Sequence, residues 1–192
     1  MTHIFKNNQS EKTLILLHGT GGDEYDLLEL ASRIDETANI LSIRGNVKEN
    51  NMNRFFKRIA VGVYDMDNYK QETNNLINAI KRFSDKYQFP LENATIVGFS
   101  NGANIAIGLL QTNPIIKRYI LFSPDFINPN ATFKDLTGVK VFLTNAPNDP
   151  YVNRDHIKKL MTVLKPVLTV YQTAGHQITY EDLMASIAWY QE

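Results

Sequence analysis

Ser100 stands in the pentapeptide Gly98-Phe99-Ser100-Asn101-Gly102, which matches G-x-S-x-G. An apolar run, Thr95 to Phe99, precedes it, and a helical pattern, Asn101 to Gln111, follows directly. A serine lifted on a tight strand-to-helix turn is the nucleophile of many acyl-transfer enzymes. The glycine spacing has a steric reason: the residues two before and two after the serine come too close to neighbouring backbone to carry large side chains. Without chemistry, the same segment would be a glycine-rich turn with Ser100 as helix N-cap.

A serine hydroxyl needs a base to take its proton. Four histidines are present: His3, His18, His156 and His176. His3 lies in a polar N-terminal segment expected to be mobile. His18 sits in a glycine-rich loop, where bracing that loop is its expected role. His156 precedes Lys158 and Lys159 and reads as part of a solvated helix face. His176, in Ala174-Gly175-His176-Gln177, follows the last strand pattern, so it is the expected base. The acid that orients it should follow an intermediate strand, in the chain order Ser, Asp, His. Asp149, in Asn148-Asp149-Pro150, fits that place, with Asp125 and Asp155 as rivals.

The reaction also needs donors aimed at the oxygen that turns negative. The backbone N–H of Asn101, directly after the nucleophile, is one. The loop His18-Gly19-Thr20-Gly21-Gly22 follows the apolar run Thr13 to Leu17 and offers the N–H of Thr20 as the second. It contains no phosphate-cradling G-x-x-x-x-G-K-[ST] or G-x-G-x-x-G pattern.

The elements that position these groups read as alternating strands and helices. Strands are expected at Thr13–Leu17, Ile40–Ile43, Thr95–Phe99, Arg118–Phe122, Val139–Thr144 and Val167–Tyr171. Helices are expected at Glu24–Ile34 with Asp23 as N-cap, Asn68–Tyr87, Asn101–Gln111, about Asn153–Val163 and about Thr179–Tyr190. The polar stretch Arg44–Arg58 reads as a loop. Such alternation implies a mostly parallel sheet with helices on both faces, in one α/β domain spanning residues 1–192. Ligands then bind beyond the carboxyl ends of the strands. Arg44, Phe55, Phe56, Tyr64, Phe126 and Tyr151 are candidate pocket residues on that ground. For each aromatic, an ordinary core position is the stronger expectation, and for Arg44 a loop brace is.

Composition narrows the function classes. The 192 residues carry 20 Lys plus Arg against 20 Asp plus Glu, so no charge imbalance calls for nucleic acid or an anionic membrane. There is no cysteine, which removes disulfides, thiolate metal sites and cysteine nucleophiles. No apolar run is long enough to span a bilayer, and the N-terminus lacks a signal core. A soluble cytoplasmic protein, monomeric or homodimeric, is the expectation.

With these residues in place, the chain resembles the phospholipase/carboxylesterase branch of the α/β-hydrolase superfamily. LLHGTGGDE (Leu16–Glu24), LSIRGNVKEN (Leu41–Asn50), GFSNGANIA (Gly98–Ala106) and AGHQIT (Ala174–Thr179) carry the resemblance, and NDP (Asn148–Pro150) is similar to the family's acid loop. Within that branch it looks closest to bacterial carboxylesterases, some of them associated with hydroquinone or quinone stress. The resemblance implies a triad of Ser100, Asp149 and His176, oxyanion donors on Thr20 and Asn101, no metal and no organic cofactor. It also implies an α/β-hydrolase fold, from which this chain departs in being short, in starting at what would be an inner strand of a full-length fold and in showing no sizeable lid segment. The expected activity is hydrolysis of a carboxylic ester, extending to thioesters. A lactone- or quinone-adduct-processing enzyme and a non-catalytic binding protein on the same fold are the alternatives.

Overall fold

A computed structural model describes residues 1–60 and 62–192. Its centre is a seven-stranded sheet. In chain order the strands of that sheet are β1 (His3–Lys6), β2 (Thr13–Leu17), β3 (Asn39–Ile43), β8 (Ala94–Phe99), β9 (Arg118–Phe122), β10 (Lys140–Asn145) and β11 (Leu168–Gln172). Across the sheet they run β1-β3-β2-β8-β9-β10-β11. All pair in parallel except β1, which lies antiparallel against β3.

β2 is buried at all five positions, as a strand covered on both faces must be. Its side chains alternate between two cores. Ile15 and Leu17 join the larger cluster, and Leu14 and Leu16 the other. The two-residue period of a strand divides them. Helices α1 (Leu28–Ile34) and α5 (Tyr180–Gln191) cover one face, through Ala31, Ile34, Leu183 and Trp189. Helices α2 (Met66–Tyr87), α3 (Asn101–Thr112) and α4 (Arg154–Leu164) cover the other. In α2, Tyr69, Thr73, Leu76, Ile80 and Phe83 form the buried stripe. Asp65 caps its start by accepting from the N–H of Asn68, and Gln88 ends it in a left-handed conformation.

Three local expectations need correction. Residues 3–6 are not a mobile tail. They pair with β3, and the His3 ring packs 3.9 Å from Phe83 with Nε2 2.9 Å from the Tyr87 hydroxyl. β2 is therefore an interior strand, as expected, but β1 folds back to supply the sheet edge. Second, the helix after β2 begins only at Leu28. Asp23 instead accepts from the N–H of Tyr25 at 2.9 Å, closing a turn. Third, the stretch Arg44–Arg58 is not irregular. It contains the hairpin β4 (Val47–Glu49) and β5 (Met52–Arg54), followed by β6 (Arg58–Ala60), which pairs with β7 (Val63–Tyr64). Asn50 and Asn51 turn the first hairpin with φ of 49° and 64°. Asparagine tolerates that region better than most residues, and two positive φ angles suit a tight hairpin.

Candidate active site

The turn between β8 and α3 is built around steric exclusion. A Cβ on Gly98 would lie 2.8 Å from the Ala103 nitrogen, and one on Gly102 would lie 2.0 Å from the Leu17 carbonyl oxygen. Both obstacles are backbone, so neither can yield. Ser100 between them has φ 50° and ψ −113°, a conformation that costs a non-glycine residue energy. Its N–H donates to the Phe122 carbonyl and its carbonyl accepts from Asn104, which hold it there. The hydroxyl makes no capping bond to α3. Instead Ser100 Oγ lies 2.8 Å from His176 Nε2.

His176 arrives from the loop after β11. Its Nδ1 lies 2.6 Å from Asp149 Oδ2, in the loop after β10. With the Nδ1–H donating to the carboxylate, Nε2 is left free to accept from the serine. Asp149 is buried, and its other oxygen accepts from the Tyr151 N–H at 2.8 Å. Tyr151 also sets its ring edge-on to His176, with centroids 5.0 Å apart. A base held on both sides loses little of its orientation to rotation.

The loop after β2 packs against this turn. Among the described residues, the Thr20 backbone N–H donates to no protein acceptor. The Asn101 N–H belongs to the first turn of α3, where helices leave donors free. Thr20, Ser100, Asn101 and His176 all border one cavity of about 700 Å³. That volume suits a small-molecule ligand.

Residues 3–191 match the family described as phospholipase/carboxylesterase. The chain belongs to that family. The protein MhqD of Bacillus subtilis (strain 168), named as a hydrolase, is 36% identical over 197 residues, spanning 100% of this chain and 98% of that one. The crystal structure of a Bacillus cereus carboxylesterase superposes with a TM-score of 0.95 at 35% identity, covering 100% of this chain and 93% of the other. The structure of YahD with malic acid gives 0.89 at 30% identity, covering 99% and 98%. The chain is thus a carboxylesterase-type hydrolase with the α/β-hydrolase fold. None of its described helices is long and apolar enough to cross a membrane.

The first hairpin braces the candidate site in a way the sequence did not reveal. The Gly21 N–H donates to the Asn53 carbonyl at 2.9 Å, and Asn53 Nδ2 donates to the Gly22 carbonyl at 2.8 Å. Arg54 Nη1 donates to Thr20 Oγ1 at 2.9 Å. One residue on, the Phe55 N–H donates to Asn101 Oδ1 at 2.7 Å. His18 completes the brace from below. Its Nδ1 donates to the Gly19 carbonyl at 2.6 Å, and its Nε2 accepts from the Gly45 N–H at 3.0 Å. Burial holds its pKa below the ordinary histidine value, which keeps Nε2 an acceptor. His18 is therefore fully occupied as a loop brace.

The pocket expectations divide. Tyr151 and Tyr64 line the cavity of the carboxylesterase. Phe55, Phe56 and Phe126 do not. All three are buried in the larger core cluster, where an aromatic side chain gains more from removal from water than from bordering a wet cavity. Arg44 is also absent from the cavity wall. It pairs with Glu24 through Nε at 2.5 Å and Nη2 at 2.7 Å, joining the loops after β2 and β3. That pairing holds the Glu24 carboxyl below its ordinary range.

His156 differs from expectation in the other direction. It faces the cavity, with Nδ1 3.7 Å from Asp125 Oδ1. Asp125 follows β9, and its Oδ1 accepts from the N–H groups of Phe126 and Asn153. Burial raises its pKa, and His156 opposes that rise. Arg54, Arg58 and Ser123 are among the wall residues that sequence reasoning missed. Two arginines four apart in a polar stretch after a strand end were the available signal for the first two.

Proposed function

We propose that the protein hydrolyses the carboxylic ester of a small soluble molecule through an acyl-enzyme on Ser100. The observation that carries this reading is the unbroken line from Asp149 through His176 to Ser100 Oγ, at 2.6 Å and 2.8 Å. In the first step Ser100 Oγ attacks the ester carbonyl carbon while His176 Nε2 takes its proton. The carbonyl oxygen becomes negative and is held by the N–H groups of Thr20 and Asn101. The tetrahedral intermediate collapses, the bond to the alcohol oxygen breaks, and His176 returns its proton to that oxygen. Water then attacks the acyl carbon, giving its proton to His176, and the acid leaves as Ser100 regains its hydrogen. Asp149 fixes the imidazole tautomer and stabilises the imidazolium. Thioesters follow the same path with a thiol as leaving group.

The test is turnover of p-nitrophenyl acetate and butyrate by wild-type protein and Ser100→Ala, with fluorophosphonate labelling read by mass spectrometry. The expected result is one adduct, on Ser100, and a rate loss of at least about 10⁴-fold in the variant. Equal rates in the two proteins would overturn the assignment.

A further inference from the structure

One wall of the cavity holds more positive charge than the protein neutralises. Arg54 is only 3% exposed. Its Nη1 is held by Thr20 Oγ1, and its Nε donates to the Phe56 carbonyl at 3.3 Å. Its acidic neighbour is Glu49, whose Oε2 lies 3.4 Å from Arg54 Nε without forming a hydrogen bond. The same Glu49 is already engaged through Oε1 by Arg58, with Nη2 at 2.7 Å and Nε at 3.1 Å. Two guanidinium groups therefore share one carboxylate. Burying a charge is costly unless it is paired. Burial and the charge of Arg58 both press down on the Arg54 pKa, although an arginine stays protonated throughout the usual range.

The other acids near the site, Asp125 in the cavity wall and Asp149 behind His176, do not supply the missing charge. Asp149 serves His176 and the Tyr151 N–H. Asp125 accepts two backbone N–H groups and faces His156. Among the described residues, Arg54 Nη2 and Arg58 Nη1 make no hydrogen bond to the chain, and both arginines border the cavity shared with Ser100. Arginine favours planar carboxylates, which it meets with two parallel bonds. Arg54 is also one hydrogen bond from Thr20, so an anion held there lies close to the proposed oxyanion site.

We propose that the substrate carries a carboxylate close to its reacting ester carbonyl, and that this carboxylate docks on the Arg54–Arg58 wall. The inference rests on the esterase reading but has its own test. Hydrolysis of monomethyl succinate is compared with that of methyl butyrate by proton release, in wild-type protein and in Arg58→Gln. The succinate monoester is expected to give a kcat/KM at least about 10-fold higher at low salt. That preference should shrink as ionic strength rises. Arg58→Gln should cut kcat/KM on the succinate monoester at least about 10-fold more than on the butyrate ester. A wild type that favours the butyrate ester, or a variant that loses equally on both, would overturn the proposal. A binding measurement separates this from failure of the chemistry: succinate should raise the Tm of Ser100→Ala protein, and should not do so once Arg58→Gln is added. No rise in Ser100→Ala would refute the carboxylate site even in an active esterase. A rise without ester turnover in the wild type would sustain it while the esterase reading fell.

Discussion

The backbone N–H of Phe55 donates to the side-chain oxygen of Asn101 at 2.7 Å, across 46 residues of chain. Asn101, whose backbone N–H is one of the two proposed oxyanion donors, thus has its side chain tied to a separate segment. Thr20, the other proposed donor, is tied to the same segment through Arg54. The two donors are set relative to each other by one stretch of chain, residues 53–55.

Asn101→Ala keeps the proposed donor but removes its tether. The buried Phe55 N–H loses its acceptor, which costs about 1–3 kcal/mol. Urea denaturation should report a loss in that range, and kcat should fall about 10-fold with KM changing less. A loss of stability with kcat untouched would show that the tether does not matter to the chemistry.

Asp149→Asn should fold normally and lose about 10⁴-fold in kcat, because the amide favours the wrong imidazole tautomer. Circular dichroism and p-nitrophenyl butyrate turnover measure the two halves of that statement. Rates near wild type would transfer the acid role to Asp125, which follows the adjacent strand β9 and borders the same cavity.

Gly102→Ala is expected to destabilise the fold by about 3 kcal/mol or more, because its Cβ would sit 2.0 Å from a backbone carbonyl oxygen. Gly138→Ala is the control. It has φ 73° and open space around it, so only the backbone conformation opposes it, at about 1–2 kcal/mol. Denaturation midpoints of equal size would remove steric exclusion as the reason for glycine in the elbow.

His18 gives a pH signature. Its native pKa is lowered by burial from the ordinary 6.5, so the unfolded chain binds the extra proton first. Stability is then full above about pH 6.5 and is lost as pH falls below it. The unfolding free energy should drop between pH 7.5 and 5.5, and His18→Gln should flatten the drop. An identical slope in the variant would assign the acid sensitivity to other groups.

Ser100, His176 and Asp149, which the structure brings together, stood out in the sequence because each is a distinctive residue in a short loop after its own apolar run. Strands buried on both faces, such as Thr13–Leu17, are continuous apolar words that mark the sheet. The hairpin at residues 47–54 left no such mark. Its strands are three residues long and mostly polar, and their turn is Asn-Asn rather than a glycine pair. The neighbours of His156 on its own helix point to a solvated face, whereas the Asp125 it meets at the cavity comes from another loop. Phe55, Phe56 and Phe126 lie in loops at the strand ends yet point into the core, and only packing decides that direction.

The hairpin has one more consequence. Of the six residues in β4 and β5, only Arg54 is buried. Little apolar surface is lost when such a unit opens, so its local unfolding costs less than melting the sheet. The residues that brace both proposed donors would therefore loosen while the seven strands stay paired. Warmed or mildly denatured, the protein would stop turning over substrate while its spectrum still reads as native, and its working range would be narrower than its melting curve.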